Sequence, residues 1–143
     1  MALKRKLSLT SINNKLKYAK FISNYIRKSR GLIGLKSRVL DIKRNGLYWN
    51  LDLREAIDFC LYISGEYEPQ LLKTYSKLIK RNSIILEVGA NIGVHTLPMA
   101  NLLTGPGQVH AFEPTNFAIK KLKANLELNP TLEKKVSIHK VFI

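Results

Sequence analysis

The residues able to do chemistry in this 143-residue chain gather in two short stretches. The first is Ile85-Leu86-Glu87-Val88-Gly89-Ala90-Asn91-Ile92-Gly93-Val94-His95-Thr96, and the second is Phe112-Glu113-Pro114. An apolar run that ends in glycine, turns sharply and starts a helix presents backbone and a helix N-terminus to a crevice. Gly89 permits a tight turn or the close approach of a ligand, and Gly93 can do the same where the helix begins. Glu113 lies 20 residues beyond Gly93, at the end of the next apolar run. An acidic side chain placed there can accept hydrogen bonds from both hydroxyls of a ribose.

The glycine pattern narrows the nucleotide. A dinucleotide fingerprint, Gly-x-Gly-x-x-Gly, needs its second glycine where Asn91 stands, and the Asn91 side chain would obstruct a pyrophosphate. A P-loop ends in Gly-Lys-Ser/Thr, which the chain lacks. A ligand with ribose and adenine but no pyrophosphate fits better, and S-adenosylmethionine is such a ligand. Simpler readings stand beside this one. Glu113 can cap the following helix, Glu87 can accept backbone N–H groups near the turn, and the glycines can serve a turn without a ligand. His95 is near the site, whereas His110 and His139 sit in apolar runs and read as packing or surface residues. No catalytic residue and no metal site can be assigned.

These residues need elements to position them. Two strand-like runs, 38–43 and 47–53, flank Asn45-Gly46, a strong hairpin signal because both central positions tolerate positive φ. Residues 54–63 read as a helix or a strand–helix mixture closed by Ser64-Gly65. Residues 68–80 read as a helix with Leu71, Leu72, Tyr75, Leu78 and Ile79 on one face. Residues 83–88 form a nearly unbroken apolar run, as expected of a strand buried on both faces. A helix over 94–103 must keep Pro98 in its first turn, where the missing N–H costs nothing. Gln108–Phe112 is the next strand, Thr115 the N-cap of a helix to Leu128, and 136–143 a third strand. The order β-α-β-α-β predicts an α/β fold with a parallel sheet and right-handed crossovers.

The resemblance that these residues carry is to the FkbM-type S-adenosylmethionine-dependent methyltransferases. Glu-Val-Gly-Ala-Asn-Ile-Gly-x-x-Thr, then Phe-Glu-Pro, then Asn125-Leu126-Glu127-Leu128-Asn129 resembles that family's motifs, and Ile57-Asp58 and Gly65-Glu66-Tyr67-Glu68 look like its lead-in segment. The resemblance covers about residues 38–143. It implies a class I methyltransferase, Rossmann-like sheet with S-adenosyl-L-methionine at the carboxyl ends of its first strands. It also implies O-methylation of a hydroxyl on a sugar or other small-molecule or glycan acceptor. By position, Glu87, Gly89, Ala90, Asn91 and Gly93 would line the cofactor's methionine side and Glu113 would bind the ribose. Glu68 and Thr96 would stand near its amino-acid end.

Composition bounds the remaining classes. The formal net charge is +14, from 24 basic and 10 acidic residues. Residues 1–45 hold 13 basic residues against one acid, Asp41, a net +12, so the body is nearly neutral. A basic arm without helix-turn-helix, zinc-finger or RNP-type motifs argues against nucleic acid as partner. Within the arm, Ile12, Leu16, Ala19, Ile22 and Ile26 predict an amphipathic helix over 11–29. It can pack on its own domain, lie on an anionic membrane surface or form part of a transit peptide. One cysteine, Cys60, supports neither a disulfide framework nor a zinc site. The longest apolar stretches run about five residues against the roughly 20 of a membrane span.

The organisation expected is therefore a basic arm over 1–34, a lead-in segment over 35–82 and a cofactor-binding unit over 83–143. Ending at its third strand, the sheet reads as truncated, with a bare face and a free edge open to association. The expectation is an N-terminal piece of a cytoplasmic methyltransferase, not competent by itself. The rival is a non-catalytic interaction module whose arm meets a membrane or an acidic partner.

Overall fold

The computed structural model describes residues 39–142. The amphipathic stretch over 11–29 and the arm over 1–34 lie outside the described residues. Two antiparallel strands open the fold, β1 (Val39–Arg44) and β2 (Leu47–Asp52), paired from Val39↔Asp52 to Arg44↔Leu47. Asn45 (φ 47°) and Gly46 (φ 81°) form the two-residue turn. Positive φ at both positions matches the twist of the flanking strands. Strand alternation buries Leu47, Trp49 and Leu51 and leaves Tyr48 at 47% exposure.

Helix α1 (Ala56–Ser64) buries Asp58, Phe59 and Leu61 and stops at Gly65, whose φ of 77° lets its N–H reach the Leu61 carbonyl at 2.9 Å. Helix α2 (Pro69–Leu78) starts on proline and buries none of its residues. Its expected apolar face is only half-covered. Leu72 and Tyr75 are partly buried, while Leu71 and Leu78 are exposed.

A parallel sheet follows, in the order β3-β4-β5, with β3 (Ile84–Val88), β4 (Gln108–Phe112) and β5 (Val136–His139). Helix α3 (Thr96–Leu102) links β3 to β4, and α4 (Asn116–Glu127) with the short α5 (Pro130–Glu133) links β4 to β5. Pro98 falls in the first turn of α3, as its missing N–H requires. Thr115 caps α4, its hydroxyl accepting the Ala118 N–H at 3.3 Å. Pro130 does not simply end that helix: it opens α5, a single turn with φ already suited to the first position.

Burial of β3 on both faces is not observed. Ile84, Leu86 and Val88 are 64%, 70% and 66% exposed, while Val109 and Ala111 on the helix-covered side of β4 are fully buried. Two right-handed crossovers place their helices on one sheet face, so the other stays open. The third strand is also shorter than expected. It stops at His139 because its partner β4 ends at Phe112, and the Glu113 N–H bonds the His139 carbonyl at 3.0 Å. The core joins the hairpin to the covered side of the sheet through Trp49, Leu51, Leu97, Leu103 and Leu122. Among the described residues, no helix is long and apolar enough to cross a membrane.

Candidate functional site

At the end of β3 the chain reverses through Gly89 (φ 79°), Asn91 (φ 50°) and Gly93 (φ 93°). The turn is tied to β4, since the Gly89 and Ala90 N–H groups both donate to the Phe112 carbonyl, at 2.9 and 3.1 Å. The two glycines do different work. A side chain on Gly89 would meet no atom within 4 Å, so this position faces open space. A Cβ on Gly93 would come within 2.6 Å of Leu122 Cδ1 and 2.7 Å of Leu97 Cδ1. Gly93 therefore lets the turn pack against α3 and α4. Ala90 is 1% exposed and its side chain belongs to the core.

Glu113 leaves the end of β4 with its carboxylate almost fully engaged. Oε2 accepts the Asn91 N–H at 3.0 Å; Oε1 accepts the Thr115 N–H at 2.9 Å and the Thr115 hydroxyl at 2.6 Å. Burial is the largest single influence on this carboxyl and pushes its pKa up. The bonds from Thr115 and Asn91 together outweigh it and hold the group below the usual value. A carboxylate has about four acceptor positions, so one remains, on Oε2. Glu113 thus bonds the loop that caps α4 and still offers an acceptor toward a ligand.

Glu87 lies on the helix-facing side of β3. The buried Thr96 donates its hydroxyl to Glu87 Oε2 at 2.6 Å. Burial pushes the Glu87 carboxyl up to about 7, against the smaller opposing effect of the Thr96 bond. Glu68 precedes α2 in a left-handed conformation (φ 51°), and its Oε2 lies 3.3 Å from His95 Nε2. The His95 ring stands between Tyr67 and Tyr75, each 5.7 Å away in edge-to-face geometry. Burial lowers the His95 pKa and Glu68 only partly offsets this, so the ring is neutral at pH 7. The structure therefore assembles two groups. Glu68, Glu87 and Thr96 meet around the start of α3, while Gly89, Asn91 and Glu113 form the turn and the crevice beside it.

A cavity of about 410 Å³ adjoins the crevice, with Asn91 and Glu113 on one side, Glu55 and Asp58 of the α1 region on another, and Phe117 and Lys121 of α4 closing it. Asp58 is fully buried, accepts the Asp52 N–H at 2.6 Å and pairs with Lys121. Burial raises its pKa, and the Lys121 and Asp52 bonds pull the other way. An acid inside an otherwise apolar helix was the sequence signal for this pair. Asn125 and Asn129, both buried on α4, were quoted only as part of a motif; two amides one turn apart on a core-facing stripe were the signal missed. His110 and His139 lie on the open sheet face, 3.0 Å apart, with His139 stacked on Phe112. Among the described residues, no group of three or more His, Cys, Asp or Glu side chains could hold a metal ion.

No family model and no curated protein matches the chain. By fold it is similar to several solved structures. TYW2 from M. jannaschii, in complex with AdoMet, matches with a TM-score of 0.56 and 21% identity, over 72% of this chain and 43% of its own. A SAM-dependent methyltransferase from Agrobacterium tumefaciens gives 0.54 and 17%, over 73% and 32%. The complex of aTrm5 with tRNALeu gives 0.52 and 21%, over 72% and 28%. The chain thus spans well under half the length of the structures it matches. The fold is the class I methyltransferase type, Rossmann-like, with three of its parallel strands described here.

Proposed function

We propose that this chain binds S-adenosyl-L-methionine in the crevice at the carboxyl ends of β3 and β4, in the service of methyl transfer. The observation that carries this reading is the pairing of Gly89, open to the crevice, with the buried Glu113 carboxylate. The residues fit the cofactor. The remaining acceptor position of Glu113 suits a ribose hydroxyl, and Asn91, standing where a pyrophosphate site needs glycine, is compatible with a ligand that has none. Glu87 and Glu68 supply acidic groups for a cationic amino-acid end. When bound, the cofactor supplies an electrophilic methyl group. The chain's own task is to position and to exclude water.

For the acceptor we propose a hydroxyl of a sugar or other small-molecule or glycan compound, as the FkbM-type motifs imply. A second reading, an RNA acceptor, is supported by the likeness to aTrm5, solved with tRNALeu, and by the basic residues 1–45. Calorimetric titration of the full chain with S-adenosylhomocysteine tests the cofactor reading. Saturable one-to-one binding that is lost in Glu113→Ala is expected. No binding, or equal binding by the variant, would refute it. Transfer of labelled methyl to tRNA but not to hydroxylated small molecules would decide for the second acceptor.

A further inference from the structure

Helix α4 carries two buried asparagines one turn apart, and both reach the hairpin. Asn129 accepts the Tyr48 N–H at 3.0 Å and donates to the Tyr48 carbonyl at 2.7 Å. Asn125 accepts the Asn50 N–H at 2.8 Å. The spacing allows this, because four helical residues rise about 6 Å and two strand residues about 6.6 Å. The two side-chain amides thus take the place of a neighbouring strand along β2.

Asn125 does something that Asn129 does not. Its Nδ2 donates to the carbonyl of Ile92 at 2.9 Å, inside the turn between Gly89 and Gly93. Ile92 follows Asn91, whose φ of 50° is costly for a residue with a side chain. Such a conformation persists only where its surroundings over-determine it. Here Glu113 holds the N–H of Asn91 and Asn125 holds the carbonyl one residue further on. One anchor comes from β4; the other comes from a side chain that is itself fixed by the hairpin.

We infer that Asn125 is a positioning residue for the cofactor turn, and that through it the hairpin helps to set the shape of the crevice. The part concerning the cofactor rests on the reading proposed above. The test compares three variants of the full chain. Asn129→Ala is the control, since it frees the hairpin without touching the turn. Asn125→Ala removes both bonds. Asn125→Asp, when ionised, keeps an acceptor for Asn50 and loses the donor to Ile92.

Amide hydrogen exchange over residues 89–94 reads the turn directly and needs no cofactor. Exchange about tenfold faster in both Asn125 variants, but not in Asn129→Ala at comparable loss of global stability, is expected. Affinity for S-adenosylhomocysteine should fall about tenfold in the same two variants and less than about threefold in the control. Equal exchange in Asn125→Ala and Asn129→Ala would overturn the inference. Failure of the unsubstituted chain to bind S-adenosylhomocysteine would instead overturn the cofactor reading, and with it the affinity part, while exchange still decides the positioning role.

Discussion

Glu113 Oε2 accepts the backbone N–H of Asn91 at 3.0 Å, so a side chain from the end of β4 holds the left-handed residue of the turn after β3. Thr115 occupies the other carboxylate oxygen with two bonds. Replacing Glu113 by alanine removes the shared acceptor of three donors. A loss of about 2 kcal/mol in urea denaturation is expected, within the range for hydrogen bonds to charged groups. The lowered pKa of Glu113 contributes stability above the unfolded value that fades as pH falls through the folded one.

Glu87 has the opposite sign. Its folded pKa of about 7 lies above the ordinary 4.5, so between those values the folded chain holds a proton that the unfolded chain has released. Stability from this group is full below pH 4.5 and declines as pH rises toward 7, by up to about 3 kcal/mol at 1.36 kcal/mol per unit. Glu87→Gln should flatten that decline. Denaturation midpoints measured from pH 4 to pH 8 check it, and an unchanged slope in the variant would contradict the assignment.

The two glycines of the turn should separate cleanly. Gly93→Ala forces a Cβ against Leu97 and Leu122 and keeps an unfavourable φ, so it should cost about 2–4 kcal/mol. Gly89→Ala meets only the backbone cost, about 1 kcal/mol. Its larger effect should be on affinity for S-adenosylhomocysteine, because the new methyl projects into open space at the crevice. Paired denaturation and titration of both variants give the comparison.

The open sheet face predicts association. Ile84, Leu86 and Val88 form an apolar strip on β3. Leu86→Lys should change stability by no more than about 0.5 kcal/mol, because the side chain is 70% exposed. Sedimentation velocity should show less self-association than for the unsubstituted chain.

Much of this arrangement was legible because its causes are local. Asn45-Gly46 can hardly do other than turn, Pro98 confines the start of α3, and Thr115 caps α4 by its own hydroxyl. The strand–turn–helix around Gly89 and the acid ending β4 could be read from spacing. What could not be read depends on partners far along the chain. Residues 83–88 are apolar on both sides, and an unbroken apolar run looks the same whether one face or two are covered. The clasp of His95 by Tyr67 and Tyr75 requires α2 to fold back onto α3. The reach of Asn125 to Asn50 spans 75 positions and that of Asn129 to Tyr48 spans 81. No periodicity reports such contacts.

The amide ladder between α4 and β2 also bears on how the chain can vary in length. Its two rungs meet only because a four-residue helical step matches a two-residue strand step. A deletion of one residue between Asn125 and Asn129 would swing one asparagine about 100° around the helix, at 3.6 residues per turn, and no side-chain substitution could bring it back. A deletion between Tyr48 and Asn50 would turn the following strand residues to the opposite face. Relatives that keep this ladder should therefore differ freely in composition along α4 and β2 yet share the lengths of both segments, with insertions falling outside them.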